Sequence, residues 1–363
     1  MEELVEGLVE EILLHLPPGD PVSLLRTATV CRSWCRIMSA PGFRRRFGQR
    51  HRTAPMLGFL DNRKVAVQDD CFVGYVGYAV GFAPATPFRP RRSEHRDHRV
   101  LDSRHGRVLL TSMPWDPELE VWDPFTDELR ELPEVPLPSP ITWNAAVVCA
   151  DYGACDHLVC RRGPFLVVFL DADGAKMRVH VYSSEAGAWS EPSYGPPSPE
   201  DGIEMVPSAL VGNALCFLID ATNSILKYDL ATRNMSVIHL PPNFVSDFKV
   251  LMTMGDGGLG FAMVERSTLW VCSMQTDPQG DDFWVPVRSI ELGFDAGSIN
   301  NDCVAFAPGV EVLFVGTEDG WFSIDLKSGR VRELVYCNAW TYALVPYMSF
   351  YTPDLHQYGV VPV

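Results

Sequence analysis

The sequence predicts a mainly β protein in which a small module of three helices precedes a long series of short strands. Three observations carry this expectation. Apolar residues recur every fourth position across residues 4–16, and that period fades after residue 52. Twenty-eight Gly and 29 Pro in 363 residues are many for a helical chain, because both interrupt helices and mark reversals. Beyond residue 52, short apolar runs alternate with turn residues, and one strand-turn-strand unit recurs.

Leu4, Leu8, Ile12 and Leu16 form one stripe of the first helix, with Val5, Val9 and Leu13 beside it and Glu2, Glu3, Glu6, Glu10 and Glu11 elsewhere. The acids near its start suit the positive end of the helix dipole. Pro17-Pro18-Gly19 stops it. Asp20 offers an N-cap and Pro21 a first helical residue for a second helix holding Val22, Leu24 and Leu25. A third helix carries Val30, Cys31, Trp34, Ile37 and Met38, and Pro41-Gly42 ends it. Three short helices bury too little surface to offset chain entropy comfortably, so the module wants a partner or a neighbouring domain.

These residues resemble an F-box. The run from Leu8 to Pro17, then Leu24, then Val30-Cys31-Arg32-Ser33-Trp34 and Pro41-Gly42-Phe43 match its Leu-Pro stop, its Val-Cys-basic-x-Trp segment and its Pro-x-Phe close. Val5 departs from the pattern, since many F-boxes have Pro there. The resemblance implies binding to a Skp-type adaptor and through it to a cullin ubiquitin ligase, with Leu8, Ile12, Leu16, Pro17, Leu24, Val30 and Trp34 carrying the interface. The F-box is expected over residues 1–50.

The remainder, 51–363, repeats an apolar-aromatic strand, an Asp with a turn, and a second strand with more polar residues. Copies centre on Trp122-Asp123, Tyr182, Tyr228-Asp229 and Phe322 with Asp325, while Leu269-Trp270-Val271 continues the series irregularly. Several short strands per period of roughly 40–60 residues predict propeller blades. About six blades are expected, with Tyr342-Ala343-Leu344-Val345 closing the ring against the first; a pair of β-sandwiches is the alternative. The units are similar to kelch-like or galactose-oxidase-like propellers that follow F-boxes in plants, although they lack the paired Gly-Gly of kelch. Because blades bury their faces against one another, this part is expected to fold without the helices.

Charge divides the chain. Residues 1–107 hold 17 Lys and Arg against 12 Asp and Glu, a net of +5, and the rest hold 13 against 34, a net of −21. The basic run Arg44-Arg45-Arg46 and its neighbours read as a solvated helix face, so a nucleic-acid partner is not expected. No apolar stretch is long enough to span a membrane and the start is acidic, so neither membrane insertion nor secretion is expected. Ten dispersed Cys then read as reduced thiols of a cytoplasmic or nuclear protein.

Chemistry is weighed against simpler readings. Gly255–Gly260 spells G-x-G-x-x-G, but a strand follows where a phosphate loop needs a helix, so a hairpin is expected. Cys155, His157 and Cys160 lie close together but lack a visible fourth ligand, and His180 is a poor substitute, so no metal is expected. His95, His98 and His105 read as solvated loop residues. Asp123, Asp229 and Asp325 could converge as an acid-base set, yet Asp after a strand is also what turns prefer. No catalytic residue and no cofactor are assigned. The expectation is a non-enzymatic substrate receptor; a propeller enzyme acting on sugars, with an incidental helical cap, is the alternative. Aromatics on or beside long connections, Tyr194, Trp143 and Phe283, are the candidate substrate contacts.

Overall fold

The computed structural model describes residues 2–352 apart from 67–75, 113–116, 138–139, 141, 173–175, 198–201, 220–222, 242–248, 281, 295–303, 318–319 and 335–340. It has four helices at the N-terminus, one more than expected: α1 (Glu2–Leu14), α2 (Pro21–Ala28), α3 (Arg32–Ser39) and α4 (Pro41–His51). Asp20 caps α2 as anticipated, its Oδ1 accepting from the Ser23 N–H at 3.0 Å. Pro41 was read as a stop, but it occupies the first turn of α4 after an extended Ala40. Proline is favoured there, where its missing N–H costs nothing.

Six antiparallel sheets follow among the described residues, five of four strands and one of five, so the expected propeller, and not a pair of sandwiches, is the fold. Blade 1 joins Thr341–Met348 to Met56–Ala66, Val76–Pro84 and Glu94–Arg96. The ring is closed by the last strand, with Leu60 opposite Val345. Blade 2 is Arg99–Arg104, Arg107–Thr111, Leu119–Asp123 and Glu128–Glu131; blade 3 is Thr142–Cys149, Phe165–Ala172, Lys176–Ser183 and Ala188–Trp189, with Ser193–Pro197 also paired to its third strand. Blade 4 is Ala209–Val211, Ala214–Ile219, Ser224–Asp229 and Met235–His239. Blade 5 is Lys249–Thr253, Leu259–Glu265, Thr268–Thr276 and Asp282–Glu291, and blade 6 is Val304–Ala307, Val312–Thr317, Gly320–Asp325 and Val331–Leu334.

The recurring sequence unit is the third strand with its exit turn. Trp122, Tyr182 and Tyr228 are buried there, and the following Asp accepts from the backbone two and three residues on: Asp229 from Ala231 and Thr232 at 3.0 and 2.7 Å, Asp325 from Lys327 and Ser328 at 2.9 and 2.8 Å. In blade 6 the residue before that Asp is Ile324, not Phe322, which is why the aromatic spacing drifts. Gly255–Gly260 lies at the hairpin between Lys249–Thr253 and Leu259–Glu265, as expected.

Side chains also tie blade to blade. Asn62 and Val100 exchange two hydrogen bonds, at 3.0 and 2.8 Å. The Val147 N–H donates to Asp102 at 2.9 Å, and Asn144 donates to both Glu204 O and Val206 O at 2.7 Å. Each is a buried polar group satisfied by a neighbouring blade, so the ties fix the rotation between blades where apolar packing alone would allow sliding.

Candidate functional site

The first surface to consider is the outer side of the helical module. α1 sends Leu13 and Leu14 into a core shared with Leu24, Met38, Phe43 and Phe47, while Leu8 and Ile12, one turn apart, stay 66% and 67% exposed. Val30, between α2 and α3, is 64% exposed, and Pro17 is exposed as well. Leu16 and Trp34 are half-buried against the edge of that core. Leu24 is fully buried, so it props the surface and is not part of it. Ion pairs hold α1 onto its neighbours: Glu6 to Arg36 of α3, and Glu10 to Arg46 and Glu11 to Arg50 of α4. From the basic stretch of α4, Arg46 and Arg50 are thus engaged with α1. These pairs are mostly solvent-exposed and contribute orientation more than stability.

The opposite side of the module sits on the propeller. Phe47 stacks on Phe43 and meets Phe350 edge-on at 6.2 Å, Gly48 abuts Leu158, and Arg45 pairs with Asp156 at 3.6 Å. Leu13, Phe43 and Phe47 thus join one apolar cluster with Leu60, Val108, Trp122 and Tyr347 of blades 1 and 2. The helices and blades 1 and 2 thus share buried apolar surface.

The module covers the end of the propeller where first strands turn into second strands, because Met56 and Met348 meet there. A cavity of about 480 Å³ lies at that mouth of the central channel, lined by Asp102, Arg104 and Thr253 from the innermost strands, by Ser208 just before one, by Arg44 of α4 and by Arg52 just after it. Two of its charged groups are engaged with each other. Asp102 pairs with Arg104, which also donates to Ser208 O. Burial pushes the Asp102 carboxyl up despite that partner. The third-strand Asp residues do not converge on the channel as an acid-base set, since each is held in its own turn.

The three aromatic candidates are not brought together. Trp143 is not on a loop: it is 2% exposed within Thr142–Cys149, stacked on Phe169 at 5.2 Å. Tyr194 is 65% exposed, and pairing of its strand opposite Arg178 puts it toward the end of blade 3 remote from the helices. Part of the connection Pro192–Gly202 is thus strand Ser193–Pro197. Phe283 is 44% exposed on the outermost strand of blade 5, opposite Gln275 and so toward the helical end.

Two further readings are corrected. His95 and His105 are not solvated: His95 packs on Trp122 at 4.3 Å, and burial pulls the two rings down to about 4 and about 3. Cys155, His157 and Cys160 do have a fourth companion, Cys149, the last residue of the strand before their loop. In sequence the four read Cys-x5-Cys-x-His-x2-Cys, a spacing visible once the strand end is counted with the loop.

The F-box domain model matches residues 1–46, and the model described as F-box protein AT5G49610-like, beta-propeller, matches residues 99–353. The chain belongs to this family of F-box propeller proteins. Its architecture is accordingly that of an F-box substrate receptor, and kelch-type repeats are not part of what the family description specifies. No curated protein matches the sequence. Similar solved structures include a functionally unknown protein from Desulfotomaculum acetoxidans DSM 771, at 13% identity and TM-score 0.48 over 80% of this chain and 89% of that one. Kuenenia stuttgartiensis hydrazine synthase gives 12% and 0.41 over 69% and 71%, and the Myceliophteria thermophila Cps50 (Swd1) beta-propeller domain 11% and 0.41 over 72% and 82%. Among the described residues, no helix of this F-box protein is long and apolar enough to cross a membrane.

Proposed function

We propose that this F-box protein is the substrate-recognition subunit of a Skp-cullin-F-box ubiquitin ligase, binding the Skp-type adaptor through the F-box and a target protein through a kelch-like propeller. The observation that carries this reading is the outward placement of Leu8, Ile12 and Val30 on an F-box whose other apolar side is already used by the propeller. A cap serving an enzyme would turn those residues inward; a docking surface needs them outside. The chain itself performs no bond chemistry in this reading. It raises the effective concentration of a target lysine near the charged conjugating enzyme.

The target is assigned to the propeller end away from the F-box, where Tyr194 is exposed and the adaptor does not compete. The acidity of residues 108–363 favours a target with a basic patch and a salt-dependent association rate. Such a complex works in the cytoplasm or nucleus. The double variant Leu8→Glu, Ile12→Glu tests the reading. Both positions are exposed, so the fold should stand, while two apolar anchors worth about 2 kcal/mol each would weaken adaptor capture by a hundredfold or more. Undiminished capture by a folded variant would overturn it.

A further inference from the structure

One side-chain cluster serves neither the adaptor surface nor the channel. It lies in the connection between the first two strands of blade 3, residues 150–164, which is fifteen residues long. In blades 2 and 4 the same connection has two residues, His105-Gly106 and Gly212-Asn213. A connection this long, regular only in the 3-10 turn Cys160–Arg162, needs its own source of order inside a compact fold.

The order that the backbone supplies is local. The Ala154 and Cys155 N–H groups donate to Asp151 O at 2.9 and 2.8 Å, and the ends meet where Ala150 N–H donates to Pro164 O at 3.0 Å. Between them the side chains of Cys149, Cys155, His157 and Cys160 turn to one point. One ligand atom from each lies within 4.8 Å of all the others. His157 Nδ1 is 3.7 Å from Cys160 Sγ. A tetrahedral ion with Zn–S of about 2.3 Å and Zn–N of about 2.0–2.1 Å requires an S to N edge of about 3.6 Å. The backbone N–H of His157, a residue held at φ 56°, donates to Cys155 Sγ at 3.3 Å.

The surroundings suit the charge of a filled site. Three thiolates and one neutral imidazole around a dipositive ion leave a net charge of −1. Arg107, 4% exposed, donates through Nη2 to Cys160 O and Gly163 O at 2.7 and 2.5 Å, and its buried Nη1 has no hydrogen-bond partner. A buried guanidinium with an unused donor beside the cluster is placed to balance that anion. The ring of His157 is further fixed by stacking on His105 at 4.1 Å.

We propose that Cys149, Cys155, His157 and Cys160 bind one structural zinc ion, which fixes residues 150–164 as the seat of the F-box helix α4. The donor set is closed, three sulfurs and one nitrogen, with no position left for substrate, so the role is structural and not catalytic. Soft thiolates select zinc over magnesium or calcium, and binding releases the thiol protons to solvent. The seat is where the two parts of the molecule meet. Leu158 lies under Gly48, where an added Cβ would come within 3.0 Å of the Leu158 Cβ, and Asp156 reaches Arg45. The metal therefore sets how the F-box is held against the propeller.

The full chain, purified without chelator, should hold about one zinc per molecule by elemental analysis. Replacement with Co2+ should give the intense visible bands of tetrahedral cobalt together with a near-ultraviolet thiolate charge-transfer band. Cys149→Ser and Cys160→Ser should each lower zinc affinity at least tenfold. His157→Cys should keep one metal and strengthen the thiolate band, a readout independent of whether the serine variants fold. Metal removal should speed amide exchange in residues 150–164 and in α4 while leaving blade 5 unchanged. Absence of zinc together with no thiolate-cobalt band, an intact mass two hydrogens short of the reduced chain at these cysteines, or full zinc retention in Cys149→Ser would each overturn the site.

Discussion

The F-box and the propeller place their apolar and charged residues by opposite rules. In α1, Leu8 and Ile12 face solvent and Glu6, Glu10 and Glu11 pair across the surface. In the blades whole strands disappear: every residue of Arg107–Thr111 is buried, and so are the carboxylates Asp61, Asp102 and Asp171. A four-helix module with one face on its neighbour has apolar surface left over, and burial by a partner is the way to use it. In a closed ring the blades bury their faces against one another, and the remaining freedom is rotation of one blade against the next. The polar ties through Asn62, Asp102 and Asn144 remove it.

The largest expected effect breaks the boundary between the two. If they were separate bodies, a substitution in α4 would leave the blades untouched. Phe47 is fully buried, between Phe43, His51 and Phe350. Phe47→Ala should cost about 3–5 kcal/mol, and it should lower the unfolding midpoint followed by tryptophan signals of the blades as well as that of the helices. An unchanged blade transition would restore the picture of independent folding.

That shared core was not legible in the sequence, and the reason is physical. Period and composition report which residues want burial, but not against what. The 3.6-residue period found α1, yet Leu8 and Leu13 look alike until neighbouring helices choose a side. Pro41 was ambiguous because the same residue ends one helix and opens the next. The blades were legible wherever an Asp closed the third strand, since a side chain bonding two residues ahead is a local event. Trp143 was misassigned because stacking on Phe169 is settled by pairing at distance, and Cys149 was overlooked because it belongs to a strand while its companions belong to a loop. Tyr194 and Phe283 read alike in sequence but fall toward opposite ends of the ring.

A middle-sized effect sharpens the account of blade rotation. Asn144 is 1% exposed and satisfies two carbonyls of the segment entering blade 4, while its Oδ1 accepts from the Ala145 N–H at 2.7 Å. Asn144→Ala strands those groups away from water and should cost about 2–3 kcal/mol, read as a shift in denaturant midpoint. Asn144→Asp should be worse, because the carboxylate cannot donate to either carbonyl. A neutral Asn144→Ala would mean that apolar packing alone fixes the blades.

The smallest effect concerns the charge that the propeller buries and the F-box does not. Asp61 lies opposite Gly81, whose missing side chain leaves room for its carboxylate and for Arg63 beside it; a Cβ at Gly81 would collide with both. Arg63 Nε is 3.2 Å from Asp61 Oδ2, but burial outweighs that attraction and pushes the carboxyl up to about 6. The folded state therefore holds the Asp61 proton more tightly than the unfolded chain does. Its contribution to stability is complete below the unfolded value of about 4 and is lost as pH rises through 6. Between pH 5 and pH 8 this group should remove about 1–1.5 kcal/mol of stability. Asp61→Asn keeps the shape and abolishes the titration, so the variant should gain on the parent by that amount between the two pH values, in denaturant unfolding at constant ionic strength. Other titrating groups are common to both proteins and cancel in the difference. A variant that tracks the parent across the whole range would mean that Arg63 keeps Asp61 ionised at every pH, and that the ring, like the helices, stabilises its carboxylates as ion pairs.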